Sequence, residues 1–137
     1  MAEPASESRA RKAADRALGQ RGEAVAEATA CTRGWQPWQR NARIGGIEVD
    51  LAMLRQREGR TELLVAEVKA SRLPIEDPVG RWPLRRQRRL WQAAEALCVA
   101  CSADRVELAL IGVVLQADRE TVTWWVVEAP SETVERW

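Results

Sequence analysis

Apolar and polar positions divide this chain into seven segments with two different periods. From residue 9 to about residue 32 the spacing is helical and Ala-rich, weakened at Gly19 and Gly22 and stopped by Gly34, which predicts a main helix over 20–32. Its inner stripe is expected to be Val25, Ala28 and Cys31 or Thr32, with Glu23 and Glu27 sharing a face one turn apart. Residues 35–43 read as a first strand at a sheet edge, because Pro37 has no N–H to donate. Gly45-Gly46 then turns the chain into a second strand over 47–54 (IEVDLAML), and 61–70 (TELLVAEVKA) reads as a third. A loop with two prolines over 71–79 leads to a helix that opens at Pro83 and runs to about residue 101. Its buried side is expected to be Leu84, Gln87, Leu90, Trp91, Ala94, Leu97 and Cys98. Residues 105–116 and 121–128 form a last hairpin. The order α-β-β-β-α-β-β predicts one α/β domain, a mixed sheet of about five strands flanked by helices, over 9–137 after a loose leader at 1–8.

The third strand carries the chemistry. Side chains two apart share a face, so Leu63, Val65, Glu67 and Lys69 lie on one side and Leu64, Ala66, Val68 and Ala70 on the other. Apolar positions on both faces mark an interior strand, where a charge must be paired, reach a cleft or hold a cation. The polar run 55–60 reads as the hairpin loop. Centring it between Glu58 and Gly59 makes the indices of facing residues sum to 117, which sets Asp50 opposite Glu67 and Glu48 opposite Lys69. Two carboxylates facing each other out of solvent repel unless a cation lies between them. Asp50, Glu67 and Lys69 are thus the parts of a divalent-metal hydrolytic site: acids hold a hard ion, the ion acidifies water, and the ammonium steadies water or phosphate. A charge cluster on a wet sheet face is the plainer account of the same residues.

Composition sharpens the case for Lys69. Of 21 basic residues 19 are Arg, and Lys12 is the only other lysine, so an ammonium at position 69 departs from the chain's habit. The net charge of +1 supplies no global attraction to nucleic acid, which leaves local patches. One such patch opens the second helix: Arg81, Arg85, Arg86, Arg88 and Arg89, with no acid among them. Cations there oppose the helix dipole, whereas phosphate would be favoured by dipole and guanidinium together; a solvated basic face is the alternative. Seven Trp without Phe or Tyr make Trp the bulky aromatic of the fold. Three Cys and no His argue against a disulfide framework, and Cys98-Val-Ala-Cys101 reads as buried thiols rather than a zinc or redox pair. No apolar run approaches 18 residues and the first residues lack the apolar core of a signal peptide, so a cytoplasmic protein is expected.

Taken together, Gly19-Gln-Arg-Gly-Glu23-Ala-Val-Ala, Arg40-Asn41, Glu48-Val-Asp50-Leu51 and Val65-Ala-Glu67-Val-Lys69 resemble the YraN family of predicted nucleases. That family is placed in the PD-(D/E)xK, restriction-endonuclease-like superfamily, which also holds archaeal Holliday-junction resolvases. The resemblance runs from about Gly19 to Leu97 and is specific in the combination of motifs. It implies a restriction-endonuclease-like fold and metal-dependent hydrolysis of phosphodiester bonds. Asp50 and Glu67 would be the metal carboxylates, Lys69 the motif lysine, Glu23 the helix glutamate and the Val68 carbonyl a further ligand to Mg²⁺ or Mn²⁺. Glu48 matches the acid that precedes the motif aspartate. Arg43, Arg72, Arg85, Arg86 and Arg89 would grip the backbone of nucleic acid, expected to be DNA, branched or single-stranded. The chain departs from the family where Ile47 replaces a Gly, where Ala70-Ser71-Arg72 replaces Thr-Arg, and where Arg86 replaces a Lys.

Three readings follow: a nuclease, a catalytically silent nucleic-acid-binding adaptor with the same fold, and an assembly module whose Trp82, Trp91, Trp124 and Trp125 form an oligomer surface. A resolvase-like role would call for a two-fold homodimer.

Overall fold

The computed structural model describes residues 5–76 and 82–129. The segments 1–4, 77–81 and 130–137, which include Arg81 and the tail to Trp137, lie outside the described residues. Seven elements follow in the expected order: α1 (Ala5–Thr32), β1 (Gln36–Ile44), β2 (Ile47–Arg57), β3 (Arg60–Ser71), α2 (Leu84–Cys101), β4 (Arg105–Leu115) and β5 (Glu120–Val127). The strands form one mixed sheet in chain order, parallel between β3 and β4 and antiparallel elsewhere. A parallel neighbour needs a long crossover, and α2 provides it. The antiparallel neighbours β1 and β2 are joined by Gly45-Gly46, and β2 and β3 by Glu58-Gly59. All four residues have positive φ, as tight hairpins require. The polar run 55–60 is therefore only a two-residue loop, and its arginines belong to the strands. β1 is an edge strand as expected, and its pairing with β2 shifts register beside Pro37.

Helices cover both faces of the sheet. Against α2 pack Leu63 and Val65 of β3 and Leu108 and Leu110 of β4, with Leu90, Ala93, Ala94 and Leu97 from the helix. Against α1 pack the alternate residues, Leu64 and Ala66 of β3 with Ala109, Ile111 and Val113 of β4. Burial on both sides explains why β3 and β4 read as nearly continuous apolar runs.

The helix faces differ from those expected. α1 begins at Ala5, so residues 5–8 form its first turn and not a loose leader. Its inward stripe is Gly22, Ala26 and Ala30, while Ala28, Cys31 and Thr32 are exposed and Val25 is half-buried. The cause is a close approach: a Cβ on Gly22 would lie 2.5 Å from Ala70 Cβ. Small residues at i, i+4 and i+8 let the helix backbone settle on the sheet, and that contact outweighs the larger side chains beside them. On α2, Leu84 is exposed, and Gln87 folds back to donate to the Trp82 carbonyl at 2.8 Å.

Of the four tryptophans read as a candidate assembly surface, Trp82 is buried and Trp91, Trp124 and Trp125 are half-buried, each with partners inside the chain. Trp91 donates to the Glu128 carbonyl at 3.2 Å. Trp124 donates to Glu107 at 2.9 Å and lies under the Arg33 guanidinium, and the Trp125 ring covers Gly112. All three cysteines are free thiols, Cys98 and Cys101 half-buried and Cys31 exposed. Among the described residues, no helix is long and apolar enough to cross a membrane.

Candidate active site

β2 and β3 pair from Arg57↔Arg60 to Leu51↔Ala66, with facing indices summing to 117 as predicted. The ladder stops one step short of Asp50 and Glu67, so neither that expected pair nor Glu48 opposite Lys69 is formed, because β2 leaves the ladder at Asp50. There the Val68 N–H donates to Asp50 Oδ2 at 2.8 Å, so a side chain takes the place of a backbone acceptor. The N–H and C=O of a strand residue point the same way, so the Val68 carbonyl also faces this break. On the other side of β2 the pairing passes from Arg40↔Leu51 to Ala42↔Val49, and the skipped Asn41 has a φ of 50°. β2 changes phase at this point. Ile47, Val49 and Ala52 face α2, while Leu51 and Met53 face α1. Asp50 is the pivot of that kink, within electrostatic reach of acids on both sides of the sheet.

Glu67 extends the Leu63–Val65 face toward α2 and is 4 % exposed. Arg86, in the first turn of α2, donates Nε to Glu67 Oε1 at 3.0 Å and Nη2 to the same oxygen. Glu67 Oε2 is buried without a hydrogen-bond partner among the described residues. The hydrogen bond to Glu67 holds the Arg86 guanidinium above its usual range, against burial, with the charges of Glu67 and Asp50 acting in the same direction. Lys69 follows two residues on, exposed, and forms no ion pair among the described residues.

Glu23 reaches the site because Gly22 sets α1 down on Ala70. With its amide turned so that the nitrogen faces the acids, the orientation their oxygens require, Asn41 donates to Glu23 Oε1 and Glu48 Oε1, each at 3.0 Å, and ties helix acid to strand acid. Burial raises the pKa of Glu23, the charge of Glu48 raises it further, and Arg40 acts against both. Arg40 is itself held by the buried Glu27, with Nε 3.1 Å from Oε1 and Nη2 on Oε2. Gln20, Glu23, Ala24, Arg40 and Asn41 line an open hollow of about 320 Å³.

Asp50 is the most perturbed acid of the group, pushed up to about 6. Burial is the main cause, the Val68 N–H opposes it, and the charges of Glu23, Glu67 and Glu48 add to it. The repulsion that drives Asp50 and Glu23 toward their protonated forms would be relieved by a cation. Among the described residues, no group of three acids is gathered closely enough to enclose an ion. Mg²⁺ does not require such a cage, since it is commonly held by one or two carboxylates and keeps several waters. The unpartnered Glu67 Oε2, an Asp50 carboxylate anchored through one oxygen, and a carbonyl facing the same break are a donor set of that kind.

The expected site residues thus separate. Asp50, Glu67, Glu48 and Glu23 interact, and Lys69 stands on the Glu67 face. Arg43, Arg72, Arg85 and Arg89 are exposed, and Arg89 reaches over the turn at Gly46. Arg86, expected on the nucleic-acid backbone, is bound to Glu67 instead. Asn41 as a link between acids, the Glu27–Arg40 pair and the role of Gly22 went unread. Arg40-Asn41 was visible as a motif, but its partners lie on another element.

Residues 22–113 match the model of an uncharacterised protein family, UPF0102. No curated protein matches the chain.

Proposed function

The chain belongs to that family, the YraN family its motifs resemble, and on this premise we propose that it is a metal-dependent nuclease hydrolysing phosphodiester bonds in nucleic acid, DNA in the first instance. The observation that carries the reading is the break between β2 and β3, beside which lie a buried carboxylate oxygen of Glu67 without a partner among the described residues and the anchored Asp50, whose ionisation feels the charge of Glu67. Asp50, Glu67 and the Val68 carbonyl would hold Mg²⁺ or Mn²⁺. Bound there, a divalent ion makes water more acidic and draws charge from a phosphate. The chain's own residues do the rest. Lys69, a compact point charge on the Glu67 face, steadies the attacking water or a phosphate oxygen. Asn41, donating to both, holds Glu23 and Glu48 oriented at the rim. Arg85 and Arg89 at the opening of α2, with Arg43 and Arg72, meet the phosphate backbone.

One observation favours a second reading, a nucleic-acid-binding adaptor without cleavage: the Arg86 guanidinium already neutralises Glu67. Digestion of linear, branched, flapped and single-stranded substrates with Mn²⁺, wild type beside Lys69→Ala, separates the two. Cleavage by the wild type and its loss by at least about 100-fold in the variant are expected of a charge that steadies the attacking water or the phosphate. Salt-dependent DNA binding without cleavage of any substrate would leave the adaptor.

A further inference from the structure

We propose that Arg86 is a resident cation, one that holds the Glu67 side of the site until a divalent ion loads and must then leave. The inference rests on the metal-site reading above and adds the competitor that sets how tightly the ion is held.

Three features point to it. First, the guanidinium is placed as a stand-in. A fork matched to a carboxylate spreads its two donors over both oxygens. Here Nε and Nη2 both meet Oε1, so Oε2 stays buried and without a partner. Second, Glu67 needs a counter-charge in this setting. It is 4 % exposed, Lys69 makes no ion pair among the described residues, and an ionised carboxylate buried alone is strongly unfavourable. Arg86 supplies that charge, as the one cation hydrogen-bonded to Glu67 among the described residues.

Third, Arg86 can leave without disturbing the core. Its side chain is 45 % exposed, against 6 % for its partner, and it starts from the first turn of α2. That turn has no acidic residue and no side-chain cap. A helix N-terminus disfavours a cation and favours an anion, so the guanidinium is held there by Glu67 rather than by its own helix. A doubly charged ion on Glu67 repels it. The guanidinium then swings into solvent beside Arg85 and Arg89, where a phosphate would be met.

The test is Mn²⁺ affinity by titration calorimetry on the full chain, for wild type, Arg86→Ala and Arg86→Gln, with thermal unfolding in EDTA alongside. The shorter amide side chain of Arg86→Gln would keep a hydrogen-bond donor near Glu67 without the charge, so this variant carries the test if Arg86→Ala does not fold. Both variants are expected to bind Mn²⁺ at least about fivefold more tightly than wild type, the low end of ordinary coupling between two ligands. Both should unfold at lower temperature in EDTA and recover when Mn²⁺ is added. A merely structural role would weaken Mn²⁺ binding, so tighter binding is specific to competition. Equal or weaker binding by the variants, with wild type binding Mn²⁺, would overturn the inference and leave the metal site standing. Absence of Mn²⁺ binding in all three proteins would overturn both.

Discussion

Replacing Asp50 by Asn removes the acid whose ionisation strains the site most. Its pKa rises from 3.8 to about 6 on folding, so the folded chain binds this proton more tightly than the unfolded chain does. Stability from this group is therefore present below about pH 4 and is lost as pH rises through the window up to about 6. At about 1.4 kcal/mol per unit the full shift is worth roughly 3 kcal/mol, and partial solvent access reduces that to about 2. The amide introduced by Asp50→Asn does not titrate and retains an oxygen to accept the Val68 N–H. Asp50→Asn should therefore be more stable than wild type at pH 8 in EDTA by about 2 kcal/mol, or roughly 5–8 °C in Tm for a domain of this size. The gap should close by pH 4. Thermal unfolding followed by circular dichroism at half-unit steps of pH, with and without Mg²⁺, reads all of this. Millimolar Mg²⁺ should raise the Tm of wild type at pH 8 and leave the variant unmoved. A variant no more stable than wild type at pH 8 in EDTA, or a gap that persists at pH 4, would refute the electrostatic account of the cluster.

Gly22→Ala tests the helix contact: the new Cβ meets Ala70 at 2.5 Å, and overpacking of about 1–3 kcal/mol outweighs a gain of about 1 kcal/mol in helix propensity. Chemical denaturation should report the net loss, and Mn²⁺ affinity should fall because Glu23 is carried away from the strand acids. Arg40→Ala leaves the buried Glu27 carboxylate without its partner and should cost about 1–3 kcal/mol in the same assay, whereas Arg40→Ala combined with Glu27→Leu should recover most of it.

Much of this protein is written locally. Short alternating or continuous apolar runs place five strands, glycine-rich hairpin turns fix two of the connections, and helical spacing places the two helices. A loop centred between Glu58 and Gly59 is enough to predict the β2–β3 register, because turn geometry and side-chain alternation act over neighbouring residues. Asp50 and Glu67 were legible for the same reason: charges in runs that otherwise bury both faces stand out in one dimension.

Other features depend on which surfaces meet. Helical spacing from the bulky Val25 favours Val25, Ala28 and Cys31 or Thr32 as the inner face of α1, yet Gly22, Ala26 and Ala30 face inward because the closest backbone approach falls at Ala70, far along the chain. Arg86 sits in a run of arginines that reads as a phosphate grip, and only the packing of α2 against the sheet brings it to Glu67. The kink at Asp50 likewise needs three partners, Val68, Asn41 and the ends of two ladders, none of them adjacent in the chain. A chain's order and periods determine its elements, because those forces are short-ranged. Which face is buried and which charge meets which follow from close packing between distant segments, and that was settled only in three dimensions.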